Sequence, residues 1–233
     1  MNLKKTVGRV VRCFLSPGQE RAIRNLQAET KMAFQHRAGV RKIRRMGWTR
    51  PEKINLGSGP YLKKGFLNVD LCLEADAMLD LRRPLPFEDD CCDFIFSEHC
   101  FEHFDYPHAI GAVLQECRRV LKPGGVLSFS VPETEWPVRD YAGGDQAPYY
   151  ETCRKLNWHP PENRTRMEHI NYHFRQGGDH RFAYDEETAT KVLRENGFTN
   201  VRRREFDPTL DSEHRKTGSL FMIAEKPVPG SPH

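Results

Sequence analysis

Lys53-Ile54-Asn55-Leu56-Gly57-Ser58-Gly59 is a short apolar run entering a turn built on two glycines. Glycine lets a chain reverse sharply and lets a ligand approach the backbone without meeting a Cβ. Outward from this stretch the chain alternates. Phe66–Val69, Ala77–Leu79, Phe94–Phe96 and Val126–Val131 are further short apolar runs, and Val201–Phe206 and Ser219–Glu225 follow late in the chain. Between them Ile110, Val113, Leu114, Cys117 and Leu121 recur at three- and four-residue spacing, one stripe of an amphipathic helix that Lys122-Pro123-Gly124-Gly125 stops. Asp185 caps a second helix, which carries Ala189, Val192 and Leu193 and ends at Asn196-Gly197. Strands alternating with helices predict an α/β fold, a mostly parallel sheet with helices on both faces.

The chain has 233 residues, 38% of them hydrophobic and 29% charged, which fits one α/β domain with decoration and excludes collagen-like and wholly disordered classes. No stretch approaches the length of a membrane-spanning helix. The cysteines Cys13, Cys72, Cys91, Cys92, Cys100, Cys117 and Cys153 are odd in number and form no C-x-x-C pair, which argues against a zinc ribbon or a thioredoxin-type site. A reducing cytoplasm is the expected compartment. Charge is uneven: residues 1–50 carry a balance of +11, so the rest of a chain with net charge +4 sums to −7. Within residues 1–50, Ser16-Pro17-Gly18-Gln19 is a helix start with a capping box. Ile23, Leu26, Ala33 and Phe34 fall near one helical face, and Gly39 is a candidate helix end. The expected organisation is a basic helical arm (1–50), a catalytic domain (51–226) with an insertion at 132–184, and a loose tail (227–233). The arm suits an anionic partner or a membrane surface, with peripheral membrane attachment as its consequence; nucleic acid ranks behind these.

The chemical signals begin at the glycine turn. Asp70 closes the next strand, where a carboxylate can accept both ribose hydroxyls of a nucleoside. A dinucleotide fingerprint is excluded, because Leu62 stands where its third glycine belongs and Asp70 follows Gly59 by only eleven residues. The block Arg119-Val120-Leu121-Lys122-Pro123-Gly124-Gly125, at this distance from the glycine turn, resembles the class I S-adenosylmethionine-dependent methyltransferases. The resemblance covers about residues 53–131 and resumes at Tyr184–Phe198. It implies a Rossmann-like sheet of seven strands with a reversed last strand, S-adenosyl-L-methionine as cofactor and S-adenosyl-L-homocysteine as product. It also implies that Gly57 and Gly59 lie under the methionine part, that Asp70 holds the ribose, that Asp80 and the Leu81 backbone meet the adenine, and that Ser97 and Glu98 line the meeting point of donor and acceptor. Asn55 is expected beside the cofactor as well, although the chain departs from the family there, where an acid is usual, and again at Pro60–Gly65, too short for the usual crossover helix.

His99-Cys100-Phe101-Glu102-His103 matches H-x-x-E-H, a zinc-protease motif if it lies on a helix. Its place just before the Lys-Pro-Gly-Gly helix fits the methyltransferase pattern instead. Residues 132–184 join the fifth strand to the late helix through more than fifty residues containing Trp136, Tyr141, Tyr149, Tyr150, Trp158, Tyr172 and Phe174 and four histidines, His159, His169, His173 and His180. This is the carboxyl edge of the sheet, so the insertion is expected to form a lid over the acceptor. The expected reaction is O-methylation of a sugar-containing or other small-metabolite acceptor, with His99, His173 or His180 as general base. The alternatives are RNA or protein methylation and a catalytically degenerate cofactor-binding module. No metal is expected: no carboxylate cluster marks an obligatory magnesium site, although Asp140, Asp145 and Asp179 lie in the lid.

Overall fold

The computed structural model describes residues 15–143 and 148–230; Cys13 and Asp145 lie outside them. Ser16 caps helix α1 (Pro17–Met46): its hydroxyl accepts from the Gln19 amide and the Gln19 side chain accepts from the Ser16 amide. The helix does not end at Gly39. It runs to Met46 and closes on Gly47, which adopts φ 69° as its cap. Gly39 is instead the point of closest approach to the sheet, since a Cβ there would lie 2.0 Å from the Met78 carbonyl oxygen. Gly39 and Ile43 are the buried residues of α1, whereas Ile23, Leu26 and Phe34, expected on a packed face, are exposed. Packing of the second half of α1 on the edge strand decided the matter, not helical periodicity in the first half.

The strands are β1 (Lys53–Leu56), β2 (Leu67–Asp70), β3 (Ala77–Met78), β4 (Cys92–Glu98), β5 (Leu121–Pro132), β6 (Thr199–Arg203) and β7 (Ser219–Glu225). They form one sheet in the order β3-β2-β1-β4-β5-β7-β6. The first five are parallel, and β7 runs antiparallel to both β5 and β6. This is the expected seven-stranded sheet with its reversed last strand. Helices α2 (His108–Val120) and α6 (Glu186–Glu195) bury Ile110, Val113, Leu114 and Cys117 on α2 and Ala189, Val192 and Leu193 on α6, as expected; α2 ends before Leu121, which opens β5, so Lys122-Pro123-Gly124-Gly125 lies in the strand and does not stop the helix. These join Ile54, Leu56, Val69, Ile95, Leu127 and Met222 in one core.

β1 and β2 pair in parallel, Ile54 opposite Leu67, with no helix between them. Asn68 makes this short connection possible. Its side-chain oxygen accepts from the Lys63 amide at 2.7 Å and from Asn55 at 2.9 Å, and its amide group donates to the Lys63 and Phe66 carbonyls. Backbone groups that a crossover helix would satisfy internally are satisfied by one buried side chain. The same network accounts for Asn55: its amide donates to Asn68, which a carboxylate could not do.

The insertion folds as α3 (Glu135–Ala142), α4 (Pro148–Lys155) and α5 (Arg166–Arg175). Tyr149, Tyr150 and Cys153 form a satellite core there, with Trp136, Trp158 and Ile170 against it. Among the described residues no helix is long and apolar enough to cross a membrane.

Candidate functional site

β1 ends in the glycine turn. Gly57 has φ 66° and Gly59 φ 51°. A Cβ on Gly57 would meet the Cys100 sulfur at 2.3 Å, while one on Gly59 would find no atom nearer than 4.0 Å. Gly57 thus seats the turn on the start of the β4 exit loop, and Gly59 faces open space. Gly57→Ala combines left-handed strain with a buried clash and is expected to cost about 2–4 kcal/mol in urea unfolding, with loss of the turn's ligand. Asp70, at the end of β2, braces the turn: one carboxylate oxygen accepts from the Gly59 amide at 2.9 Å and the other from the Cys72 amide at 2.8 Å.

A cleft of about 190 Å³ opens beside this turn. Asn55, Gly57, Ser58, Gly59, Tyr61, Lys63, Phe96, Glu98, His99 and Arg215 line it. Of the residues the resemblance assigned to the cofactor, the structure brings Asn55, Gly57, Gly59 and Glu98 to this wall and Asp70 directly behind it. Ser97 is buried, and its hydroxyl donates to the Leu56 carbonyl. Asp80 and Leu81 are also buried outside this wall. Both Asp80 oxygens accept from the Arg82 guanidinium, which in turn holds Glu29 of α1. Burial pushes the Asp80 carboxyl up, and the Arg82 hydrogen bonds outweigh it, holding the group below the ordinary carboxylate range.

A second cleft, of about 220 Å³, lies under the lid. His99, Glu102, His103, Trp158, Tyr172, His173, His180, Arg215 and Ser219 are among its lining residues, so all three histidines expected at the chemistry share one wall. His99 and Arg215 belong to both clefts. His99 follows β4 with φ 48°, in the left-handed region that non-glycine residues rarely occupy. Its Nε2 lies 2.8 Å from the Ser219 hydroxyl, and its Nδ1 lies 3.6 Å from Glu102 Oε1. Burial, and then the Arg215 charge, hold the His99 imidazole well below its ordinary value, so it is neutral at pH 7. Burial pushes Glu102 up to about 8.

Residues 99–103 do not form the helix a zinc protease requires. β4 ends at Glu98, and only a single 3-10 turn, Phe101–His103, follows. Deeper in the lid, His173 Nδ1 and the Tyr149 hydroxyl are 2.8 Å apart, and His159 and His169 face each other through their Nδ1 atoms at 2.8 Å. Burial, reinforced by the neighbouring His169, pushes His159 down to about 4. The unfolded chain therefore takes up a proton between pH 6.5 and 4 that the folded lid refuses, and stability falls on acidification through that window. His159→Gln is expected to flatten the dependence of the urea midpoint on pH there by about one proton.

Arg215, Ser219 and Lys63 were not singled out in the sequence. A topological signal for Arg215 existed. With β7 reversed, the β6–β7 loop must return to the carboxyl edge of the sheet, where ligands bind. The loop is anchored there by Ser212, which donates from its amide and hydroxyl to Glu98, and by the Arg204–Asp211 ion pair.

Residues 64–129 match the family model described as a methyltransferase domain. The match runs from the Asn68-braced loop to β5 and leaves the glycine turn outside. Over 57 residues the chain is 40% identical to the uncharacterized protein YafE of Escherichia coli, covering 24% of this chain and 26% of that one. Over 52 residues it is 48% identical to malonyl-[acyl-carrier protein] O-methyltransferase 1 of Coxiella burnetii, covering 22% of this chain and 17% of that one. Among solved structures it resembles a chain of the complex between the Haloferax volcanii Trm112 methyltransferase activator and a methyltransferase. That likeness has a TM-score of 0.47 and 18% identity and covers 75% of this chain and 82% of the other. Residues 64–129 thus match a methyltransferase domain, and the sheet order with its reversed last strand is the one that the resemblance to class I S-adenosylmethionine-dependent methyltransferases implies.

Proposed function

We propose that the chain transfers a methyl group from S-adenosylmethionine to an oxygen of a sugar-containing or other small-metabolite acceptor. One observation carries this reading: the cleft at the glycine turn and the cleft under the lid meet at His99 and Arg215. A donor in the first and an acceptor in the second come together at those two side chains.

When bound, the cofactor supplies an activated methyl group on a sulfonium sulfur, so the protein's task is chiefly positioning. Gly59 leaves room for it, Asp70 holds the turn and offers lone pairs to the ribose, and Lys63 and Arg215 supply positive charge for a carboxylate. We assign the proton on His99 to Nδ1, facing Glu102, which leaves Nε2 as the acceptor. An acceptor hydroxyl reaches Nε2 by displacing the Ser219 hydroxyl or through it. On transfer of that methyl group, the proton of the acceptor hydroxyl would pass to His99 Nε2. Trp158 and Tyr172 give the acceptor cleft the flat apolar faces a sugar ring packs on. The Arg215 guanidinium favours a second class, a carboxylate acceptor of the kind named for the Coxiella relative. The exposed basic side chains of α1 are assigned to an anionic partner or membrane surface.

The test is S-adenosylhomocysteine release by the purified chain across a panel of sugars, hydroxylated metabolites and carboxylic acids. Acceptor-dependent release supports the proposal; release only with RNA or protein contradicts it.

A further inference from the structure

We propose that Glu102, His103 and His180 form a binding site for a divalent first-row transition metal, zinc by preference, in the wall of the lid cleft. The role of the ion in catalysis rests on the methyl-transfer reading above; the site itself does not.

One ligand atom from each of the three residues lies within 4.8 Å of the other two. Both histidine Nε2 atoms stand 4.0 Å from the same oxygen, Glu102 Oε1. That is too long for a hydrogen bond and slightly wider than the roughly 3.4 Å between neighbouring ligands of a tetrahedral zinc, so small side-chain shifts close it.

The tautomers point the same way. His103 Nδ1 lies 3.0 Å from the Asp179 carbonyl, and His180 Nδ1 lies 2.9 Å from the His173 carbonyl. A carbonyl only accepts, so both Nδ1 atoms carry the proton and both Nε2 atoms present bare lone pairs to the carboxylate. Two bare nitrogen lone pairs thus converge on one Glu102 oxygen, and a cation taking the place of the carboxyl proton would bridge all three ligand atoms. A backbone carbonyl fixing the far nitrogen is also how metal-binding histidines are oriented.

Two further observations support the site. Glu102 Oε2 is buried without a hydrogen-bond partner. The lid is tied to the turn at this point, because the Arg181 and Phe182 amides both donate to the Glu102 carbonyl, fixing His180 against Glu102. Two imidazoles and one carboxylate suit zinc or iron better than magnesium, which prefers all-oxygen sites with bound water. The other candidate group, Cys153, His159 and His169, is less suited, since its two histidines already bond each other directly at 2.8 Å.

His99 faces the same Glu102 oxygen at 3.6 Å through Nδ1, the nitrogen assigned its proton, so it adds no lone pair to the group and its Nε2 stays available as base. An ion here opens onto the lid cleft, where it would polarise an acceptor hydroxyl or carbonyl as a Lewis acid. Arg215 lines the same cleft and opposes it, so the ion must earn its place through direct ligation.

The test uses the full chain, stripped by chelator and titrated with Co2+ by visible absorption and with Zn2+ by calorimetry. One equivalent is expected at this site, weakened at least tenfold by His103→Ala and by His180→Ala and unchanged by His169→Ala. His103 is partly exposed, so its replacement leaves the fold intact. The absence of saturable binding overturns the proposal. So does binding that His169→Ala or Cys153→Ser removes while His103→Ala leaves it whole. A parallel titration of the stripped chain with S-adenosylhomocysteine separates the two readings: cofactor binding without metal binding sinks the metal site and leaves methyl transfer standing.

Discussion

Asp70→Ala is expected to weaken S-adenosylhomocysteine binding at least a hundredfold, about 2.7 kcal/mol. Two effects combine. The carboxylate is the acceptor for the Gly59 and Cys72 amides, so its removal leaves two backbone donors unpaired and frees the turn that shapes the cofactor cleft. It also removes the lone pairs assigned to the ribose. Asp70→Asn keeps one acceptor oxygen and is expected to fall between wild type and Asp70→Ala. Calorimetry on the three proteins, with circular dichroism to confirm folding, checks the order. An Asp70→Ala protein that binds as tightly as wild type would remove Asp70 from the site.

The second large effect is His99→Asn. Asparagine is among the side chains that best tolerate the left-handed backbone of position 99, so the substitution removes the imidazole without adding backbone strain. With an acceptor found by screening, kcat is expected to fall by about 10²–10⁴-fold. Cofactor affinity is expected to change by less than about threefold, under ~0.7 kcal/mol. A loss confined to KM would make His99 a binding group and not the base.

The strands and two of the helices were legible because each buries a continuous apolar stripe, and such stripes have a period. The stripe Ile110, Val113, Leu114 and Cys117 is buried as read. The place of the two clefts was legible too, since a glycine turn after β1 and a long insertion after β5 both lie at the carboxyl edge. What periodicity misses is contact between distant residues. Gly39 looked like a helix end, because nothing in its neighbourhood announces that the Met78 backbone will press against it. Asp80 looked free for a ligand, yet Arg82, two residues on, occupies both of its oxygens. The H-x-x-E-H motif was visible, but its reading assumed a helix. The structure folds it as a strand end and a 3-10 turn, which turns Glu102 and His103 toward His180, a residue far along the chain. Asn55 looked like a defect in the cofactor motif and is instead one half of the pair that replaces the missing crossover helix.

The most direct measurement is a calorimetric titration of the intact, folded chain with S-adenosylhomocysteine. Saturable binding at one site with micromolar affinity, displaced by S-adenosylmethionine, is the predicted result. A folded chain that binds neither compound would contradict assignment of the glycine-turn cleft to the cofactor, and with it the proposed methyl transfer.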